Sequence, residues 1–156
     1  IFDTPLPDSD PGQFVMAWLP EIGEKPFSIS GNDPLALTVA EVGPVSHALC
    51  QLTPGERVWV RGPFGRGFRL TSQPSLLVGG GYGAAPLSLL AGNLRQNGAA
   101  VAVALGAETR DALMMAPVFD QLARDYSGRL VVAKLETERA PGVSAYARRP
   151  SGYSFR

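Results

Sequence analysis

A run of glycines near the middle of the chain has the composition of a loop that binds the phosphates of a nucleotide. It follows the apolar residues 75–78, and Pro86 opens the amphipathic segment after it. Glycines let the backbone turn sharply and approach a pyrophosphate closely, while the amides at a helix start favour its negative charge. The alternative is an ordinary tight turn between a strand and a helix. The residues predicted to bind a dinucleotide here are Gly79, Gly80, Gly81, Gly83 and Pro86.

This loop departs from the dinucleotide-binding pattern G-x-G-x-x-G at its end. Ala84 and Ala85 stand there, before Pro86, which counts against an ordinary Rossmann dehydrogenase. The next predicted strand is followed by Glu108, which could bind the ribose of NAD and repel the extra phosphate of NADP. Arg110 argues the other way, so the residues leave the choice between NAD and NADP open.

A segment nearer the N-terminus has side chains that could contact a second ligand. Lys25 could neutralise a phosphate, Phe27 could lie against an aromatic ring system, and the Ser28 hydroxyl could bond a ring nitrogen. From these residue types alone, a turn proline at Pro26 followed by a core aromatic residue is the favoured alternative.

Two further segments allow either a binding or a purely structural interpretation. Residues 43–46 could present helix amides to a second phosphate, or could be only a capped helix. Residues 61–68 form a glycine-rich segment that could close over a ligand, although turn chemistry alone explains its glycines. His47 is the only histidine, and because no nucleophile motif surrounds it, we assign it no catalytic role.

Composition excludes several classes of protein. The chain has 14 basic and 14 acidic residues without a basic cluster, so no nucleic-acid partner is expected. Apolar runs such as residues 99–105 are far shorter than the roughly 20 residues that span a bilayer. Cys50 is the only cysteine, so we expect no internal disulfide or cysteine-bound metal, and a buried thiol. No signal peptide is visible, which favours a cytoplasmic location.

The first 72 residues have the pattern of a small antiparallel β-barrel. Short apolar segments separated by proline, glycine and asparagine turns predict strands. One short helix is expected over 46–52, with Ser46 as its N-cap. The predicted strands are 13–19, 27–30, 35–42 and 57–61.

Residues 73–135 have the pattern of an α/β domain. Continuous apolar strands alternate with amphipathic helices, which predicts a parallel sheet covered on both faces. Residues 136–156 lack periodicity, and we expect them to form an irregular tail. The predicted strands are 75–79, 99–105 and 130–135, and the helices are 86–97 and 111–126, the latter interrupted or kinked at Pro117.

Five motifs, taken in order, resemble the ferredoxin-NADP reductase superfamily. Within it, the chain is most similar to the electron transfer subunits of dihydroorotate dehydrogenase. The resemblance implies an FAD-binding β-barrel followed by an NAD(P)-binding α/β domain, both incomplete, in a chain truncated at both ends. The motifs are residues 11–14, 25–28, 43–46, 62–65 and 79–86.

The resemblance also implies the cofactor contacts. In the family, an Arg-Pro-x-Ser type of motif contacts the flavin, and here Lys25 replaces the commoner arginine. A helix start binds the FAD pyrophosphate, and Val45 stands where glycine is usual. The glycine loop corresponds to the NAD(P)H site. The implied FAD-binding residues are Lys25, Pro26, Phe27, Ser28, Val45 and Ser46.

The implied function is electron transfer through a flavin, between NAD(P)H and an iron-sulfur or flavoprotein partner, as in pyrimidine biosynthesis. The partner would be a catalytic flavoprotein subunit in a hetero-oligomer. The family's [2Fe-2S] centre is bound by C-terminal cysteines that this chain lacks, and no side chain is expected to act as a catalytic acid or base. The alternatives are an electron transfer subunit of a hydrogenase or ferredoxin-NADP oxidoreductase, and a non-catalytic nucleotide-binding fragment.

Overall fold

The computed structural model describes residues 1–107, 109, 113, 115–125 and 130–136, in which two β-sheets follow one another along the chain. The first sheet is antiparallel and has the strand order β3-β2-β1-β4. Helix α1 (Pro44–Gln51) connects β3 to β4. The strands are β1 (Phe14–Leu19), β2 (Gly23–Asn32), β3 (Leu35–Leu37) and β4 (Trp59–Phe64).

Strand β1 is the centre of this first sheet, and its side chains alternate as a half-buried strand requires. Val15 and Ala17 are fully buried, whereas Trp18 faces outward and is 42% exposed. Trp18 packs edge-on against Trp59 of β4, with ring centroids 5.3 Å apart. The predicted strands of this region are therefore confirmed in number and order, although β3 is shorter than the segment 35–42.

The N-terminal segment lies alongside β3. The Phe2 amide donates to the Leu35 carbonyl at 2.9 Å, and the Leu35 amide donates to the Thr4 carbonyl at 3.1 Å. Phe2 and Leu6 then pack against the buried cluster of Val15, Ile29 and Leu35. This segment therefore contributes both hydrogen bonds and apolar surface to the first core.

The second sheet is parallel, with the strand order β5-β6-β7. Its core contains Leu77, Val103 and Phe119. The elements are β5 (Ser75–Gly80), a 3-10 turn (Gly81–Ala84), α2 (Ala85–Gln96), β6 (Val101–Ala107), α3 (Ala116–Asp125) and β7 (Leu130–Glu136).

Helix α2 packs on both sheets. Leu87, Leu90 and Leu94 recur at helical spacing and belong to the core of the second sheet. Leu89, on another side of the helix, packs against the core of the first sheet. The helix therefore joins the two halves of the described structure.

Three expectations from the sequence are wrong in detail. The second sheet is not covered on both faces in the described part of the chain, because Leu76 and Val78 of β5 are 68% and 71% exposed. The sequence of an apolar strand shows that both of its faces are apolar, but it does not show whether other residues cover them. Cys50 is exposed rather than buried, since the end of α1 lies at the rim of an open groove. Helix α3 begins at Ala116, beside Pro117, so this proline lies in its first turn.

The remaining expectations concern segments that are only partly described. Of the predicted irregular tail, residue 136 ends β7, and residues 137–156 lie outside the described part. None of the helices in the described part of the chain combines the length and the apolar composition needed to cross a bilayer.

The second core gives a direct test of this packing. Phe119 is fully buried in α3, whereas its neighbour Val118 is 43% exposed. We expect Phe119→Ala to lower the free energy of unfolding by about 3–5 kcal/mol, because it leaves a cavity. Val118→Ala is the matched control and should change it by about 0.5 kcal/mol or less. Urea denaturation measures both, and equal effects would contradict the described position of α3.

Candidate functional site

The glycine loop lies where β5 ends and α2 begins, as the sequence predicted. A Cβ atom at Gly79 would lie 2.8 Å from Leu87 Cδ1 and 3.0 Å from Ala84 Cα. Only glycine therefore lets the strand and the helix approach this closely. Gly81 has a φ of +51°, in the left-handed region of the backbone that residues other than glycine seldom adopt.

The outer side of this loop is open. Apart from the adjoining backbone and the two chain neighbours, no atom of the described residues lies within 4 Å of a Cβ placed at Gly81 or Gly83. Packing therefore does not require glycine at position 83, whereas close approach of a ligand to the backbone would. Gly80 adjoins the Gly106 carbonyl of β6, which lies 3.3 Å from its would-be Cβ. The loop thus lies at the carboxyl ends of parallel strands, the usual ligand-binding edge of an α/β sheet.

The 3-10 turn leads directly into the start of α2. The Ala85 amide donates to the Tyr82 carbonyl, and Ala84 and Ala85 are both buried. Pro86 lies in the first helical turn, where its missing N–H breaks no helical hydrogen bond. The two alanines that depart from the dinucleotide-binding pattern are therefore packing residues of this turn.

The segment predicted to contact a second ligand lies within β2. Lys25, Pro26 and Ser28 are exposed and Phe27 is half-buried, and Pro26 lies within the strand rather than in a turn. Ser28 is paired with Phe14 across the sheet. Among the described residues, Lys25 has no ion-pair partner.

The acidic neighbour of Lys25 is bound elsewhere. Glu24 accepts two hydrogen bonds from Arg61, from Nε at 2.6 Å and from Nη2 at 2.8 Å. The hydrogen bond from Arg61 lowers the pKa of the Glu24 carboxyl, and the same bond raises the pKa of Arg61. Arg61 also lies over the ring of Phe64, 5.5 Å from its centroid. The positive charge of Lys25 is therefore not compensated by Glu24.

Helix α1 begins two residues earlier than expected, with Gly43 and not Ser46 as its N-cap. The Ser46 hydroxyl accepts hydrogen bonds from the Val42 and Gly43 amides and donates to the Gly43 carbonyl, each at 3.0 Å. Pro44 explains the difference, because proline is favoured in the first helical turn, where it needs no hydrogen-bond acceptor.

The backbone at this helix start keeps free amides. The first intrahelical hydrogen bond runs from His47 to the Gly43 carbonyl, so the Val45 and Ser46 amides precede it. Val45 Cγ2 lies 3.5 Å from the position that a Cβ would take at Gly23. The helix start is therefore packed against the first residue of β2, close in sequence to Lys25.

Two other predicted segments contact each other. The Gln13 side chain donates from Nε2 to the Gly65 carbonyl at 3.0 Å, and the Phe68 amide donates to the Pro11 carbonyl at 2.7 Å. The glycine-rich segment 61–68 is thus attached to the segment 11–14.

The side chain of His47 has an acidic partner. Its Nδ1 lies 2.6 Å from Oε1 of Glu41, and both side chains are exposed.

Sequence reasoning missed Glu24 and Arg61 as a pair and Gln13 as a tether. No local signal could have identified them, because the partners are 37 and 52 residues apart. Glu108 and Arg110, on which the choice between NAD and NADP depended, lie outside the described residues. The described residues contain no group of three or more His, Cys, Asp and Glu side chains suited to a metal ion.

No protein-family model matches the chain, but individual proteins do. A probable dihydroorotate dehydrogenase B (NAD(+)) electron transfer subunit from Thermococcus kodakarensis is 43% identical over 109 residues, which are 67% of this chain and 44% of that protein. The protein of the same description from Methanocaldococcus jannaschii is 36% identical over 117 residues, 75% of this chain and 45% of that protein. The chain therefore spans less than half the length of these relatives.

Solved structures agree on the fold. The NADH-dependent reduced ferredoxin-NADP oxidoreductase superposes with a TM-score of 0.69 at 31% identity, covering 81% of this chain and 47% of that one. The cytochrome b5 reductase domain of Ulva prolifera nitrate reductase superposes with a TM-score of 0.67 at 16% identity, covering 90% and 66%. The second of these is similar in fold alone.

The glycine loop yields a prediction about stability. We expect Gly79→Ala to lower the free energy of unfolding by about 1–3 kcal/mol, because the new methyl group meets Leu87 and the backbone of Ala84. Gly83→Ala, in open space, should change it by about 0.5 kcal/mol or less. Thermal or urea denaturation measures both variants. Equal losses would contradict the close packing of β5 on α2.

Proposed function

Since the chain belongs to the ferredoxin-NADP reductase superfamily and is homologous to the electron transfer subunits of dihydroorotate dehydrogenase B, we propose that it binds FAD and NAD(P)H and transfers electrons between them. In this proposal, residues 1–72 form the FAD-binding part and residues 73–135 the NAD(P)-binding part. A partner protein would receive the electrons, as part of a hetero-oligomer, in the cytoplasm.

One observation carries this proposal. The fold has two separate places at which groups that could bind a phosphate have no partner among the described contacts, and α2 packs on both of the sheets that contain these places. In the first sheet these are the unpaired Lys25 and the amides at the start of α1. In the second, it is the open side of the loop at Gly81 and Gly83. An enzyme with one nucleotide ligand would need only one such place.

The first place fits FAD. Lys25 would neutralise a phosphate as a point charge, and the Val45 and Ser46 amides would donate to the pyrophosphate. Phe27 would lie against the flavin ring, and the exposed Ser28 hydroxyl would donate to a ring nitrogen. Pro26 restricts the backbone angle φ between Lys25 and Phe27. The Ser46 side chain has a different role, since its hydroxyl is used in capping the helix.

The second place fits the pyrophosphate of NAD(P)H. Gly81 and Gly83 would let the ligand reach the backbone, while Gly79 and Gly80 set the approach of α2 and β6. Pro86 lies in the first turn of α2, whose dipole favours negative charge at this end. These residues bind and orient the ligand, and none of them needs to take up or release a proton.

The bound flavin would supply the redox chemistry, accepting a hydride from NAD(P)H and giving up its electrons one at a time. The chain's own residues would contribute position, because a hydride moves only between atoms held in near contact. By analogy with the relatives, the acceptor would be a dihydroorotate dehydrogenase catalytic subunit, in pyrimidine biosynthesis, reached through a [2Fe-2S] centre whose cysteine ligands are not in this sequence.

A second candidate is an electron transfer subunit of a ferredoxin-NADP oxidoreductase. The superposition at 31% identity with the NADH-dependent reduced ferredoxin-NADP oxidoreductase favours it. Both candidates share the flavin and nicotinamide sites and differ in the electron acceptor.

The proposal predicts a coloured protein. Incubation of the purified chain with FAD, followed by gel filtration, should give a yellow protein, and NADH should bleach the flavin absorbance under anaerobic conditions. A chain that stays colourless would support the alternative of a non-catalytic fragment. A yellow chain that neither NADH nor NADPH reduces would contradict the role of the glycine loop.

The charge of Lys25 should contribute to flavin binding. We expect Lys25→Ala to weaken FAD binding roughly 10-fold or more, because a hydrogen bond to a charged group is lost. Arg124→Ala removes a cation from α3, on the other sheet, and is the matched control. Quenching of FAD fluorescence measures the dissociation constants. Equal constants for wild type and Lys25→Ala would remove Lys25 from the site.

A further inference from the structure

Strand β2 contains a bulge immediately after the segment that we assign to the flavin. Ile29 is paired with Leu37 of β3 and Gly31 is paired with Ala36, so the register leaves the backbone of Ser30 without a partner in β3, although the Ser30 hydroxyl donates to the Ala36 carbonyl at 3.0 Å. Pairing with β1 ends at Ser28. A bulged residue has backbone groups that the sheet does not use, and bulges are common beside active sites.

The unused carbonyl of Ser30 has a partner in the other half of the structure. The Ser88 hydroxyl of α2 lies 3.0 Å from the Ser30 carbonyl oxygen, 58 residues away in sequence. Ser88 is buried, with 6% of its surface exposed. In such surroundings an unpaired carbonyl is costly, so this contact is a specific attachment between the two sheets.

The same hydroxyl is also close to its own helix. It lies 2.8 Å from the Ala85 carbonyl, and since a hydroxyl has one proton, the two carbonyls share it. A bond to Ala85 alone would be an ordinary serine contact inside a helix. The contact with Ser30 is what distinguishes Ser88 from such a residue.

Neighbouring contacts surround this attachment. Thr38 Oγ donates to Ser30 Oγ at 3.1 Å and lies 3.8 Å from Met115 Sδ, which belongs to the core of the second sheet. Leu89, next to Ser88, packs against the core of the first sheet. The bulge is therefore held from both sheets.

We propose that Ser88 is a positioning residue, which fixes the start of α2, and with it the glycine loop, against the flavin-binding strand β2. This inference rests on the proposed function. In the proposed reaction, a hydride with its two electrons would pass from NAD(P)H to the flavin, and NAD(P)⁺ would leave. Ser88 lies in neither of the proposed binding places. It acts by keeping the distance between the glycine loop and β2 constant.

The effect on rate follows from the short distance that hydride transfer requires. Reacting atoms must approach to roughly 3–3.5 Å, and a displacement of about 1 Å can slow a reaction 100-fold. Loss of the attachment should therefore slow flavin reduction at saturating NADH. It should leave the affinity for each ligand nearly unchanged, because Ser88 is not in either binding place.

Three variants test this inference. Ser88→Ala removes the hydroxyl, and Ser88→Thr keeps it. Asn93→Ala is the matched control, because Asn93 lies in the same helix and its side chain donates to the Leu89 carbonyl of that helix, at 2.9 Å, and not to the first sheet among the described contacts.

The first measurement is hydrogen exchange of the chain without ligands. Ser88→Ala should speed exchange in β2 and β3 about 3- to 10-fold, as expected for one lost hydrogen bond, whereas Asn93→Ala should not. Equal exchange in both variants would overturn the attachment, whether or not the chain binds FAD.

The second measurement is stopped-flow reduction of the bound flavin. Ser88→Ala should reduce the rate at saturating NADH roughly 10-fold, with the FAD dissociation constant within about 2-fold of wild type. Ser88→Thr should recover most of that rate. A wild-type rate in Ser88→Ala would overturn the positioning role while the proposed function stands. Wild-type protein that binds no FAD would overturn the proposed function, and the role of Ser88 in electron transfer with it.

Discussion

The packing of helix α2 on two sheets at once is the constraint on which the rest of the structure depends. Three leucines of this helix belong to the hydrophobic core of the parallel sheet, and Leu89 packs against the core of the antiparallel sheet. The helix can approach β5 only because position 79 is glycine. The start of the same helix directly follows the glycine loop. The packing that stabilises the fold therefore also sets the position of the proposed NAD(P)H site relative to β2.

Local hydrogen bonds and ion pairs determine which polar groups remain for a ligand. Arg61 binds Glu24, Glu41 binds His47, and the Ser46 hydroxyl is used at the start of α1. Lys25 and the first amides of α1 have no such use among the described contacts. The proposed FAD site is therefore defined as much by the neighbours that are already paired as by the residues that would bind.

The sequence predicted the second half of the fold most accurately, because strong signals agree there. The strand at 75–79, the glycine loop, the helix at 86–97 and the following strand all occur within two residues of their expected positions. Continuous apolar runs mark the strands, and Pro86 and Gly98 mark the limits of the helix. The start of α1 was predicted two residues too late, since both Gly43 and Ser46 are favourable N-caps and Pro44, which suits the first helical turn, favours Gly43.

The candidate site could be predicted as a set of segments, but not as an arrangement. Gln13 to Gly65, Glu24 to Arg61, and Ser88 to Ser30 are contacts between residues 52, 37 and 58 positions apart. Periodicity and turn chemistry act over a few residues and contain no information about such pairs. The exposed positions of Leu76 and Cys50 were missed for the same reason, because burial depends on distant neighbours.

The central claim is that one folded chain brings a flavin and a nicotinamide into contact. The visible spectrum of the FAD-loaded chain, recorded during anaerobic titration with NAD⁺ after reduction of the flavin, tests it most directly. Stacking of the two rings should produce a broad long-wavelength absorbance that saturates with NAD⁺. Binding of NAD⁺, measured by calorimetry, without any change in the flavin spectrum would contradict the account.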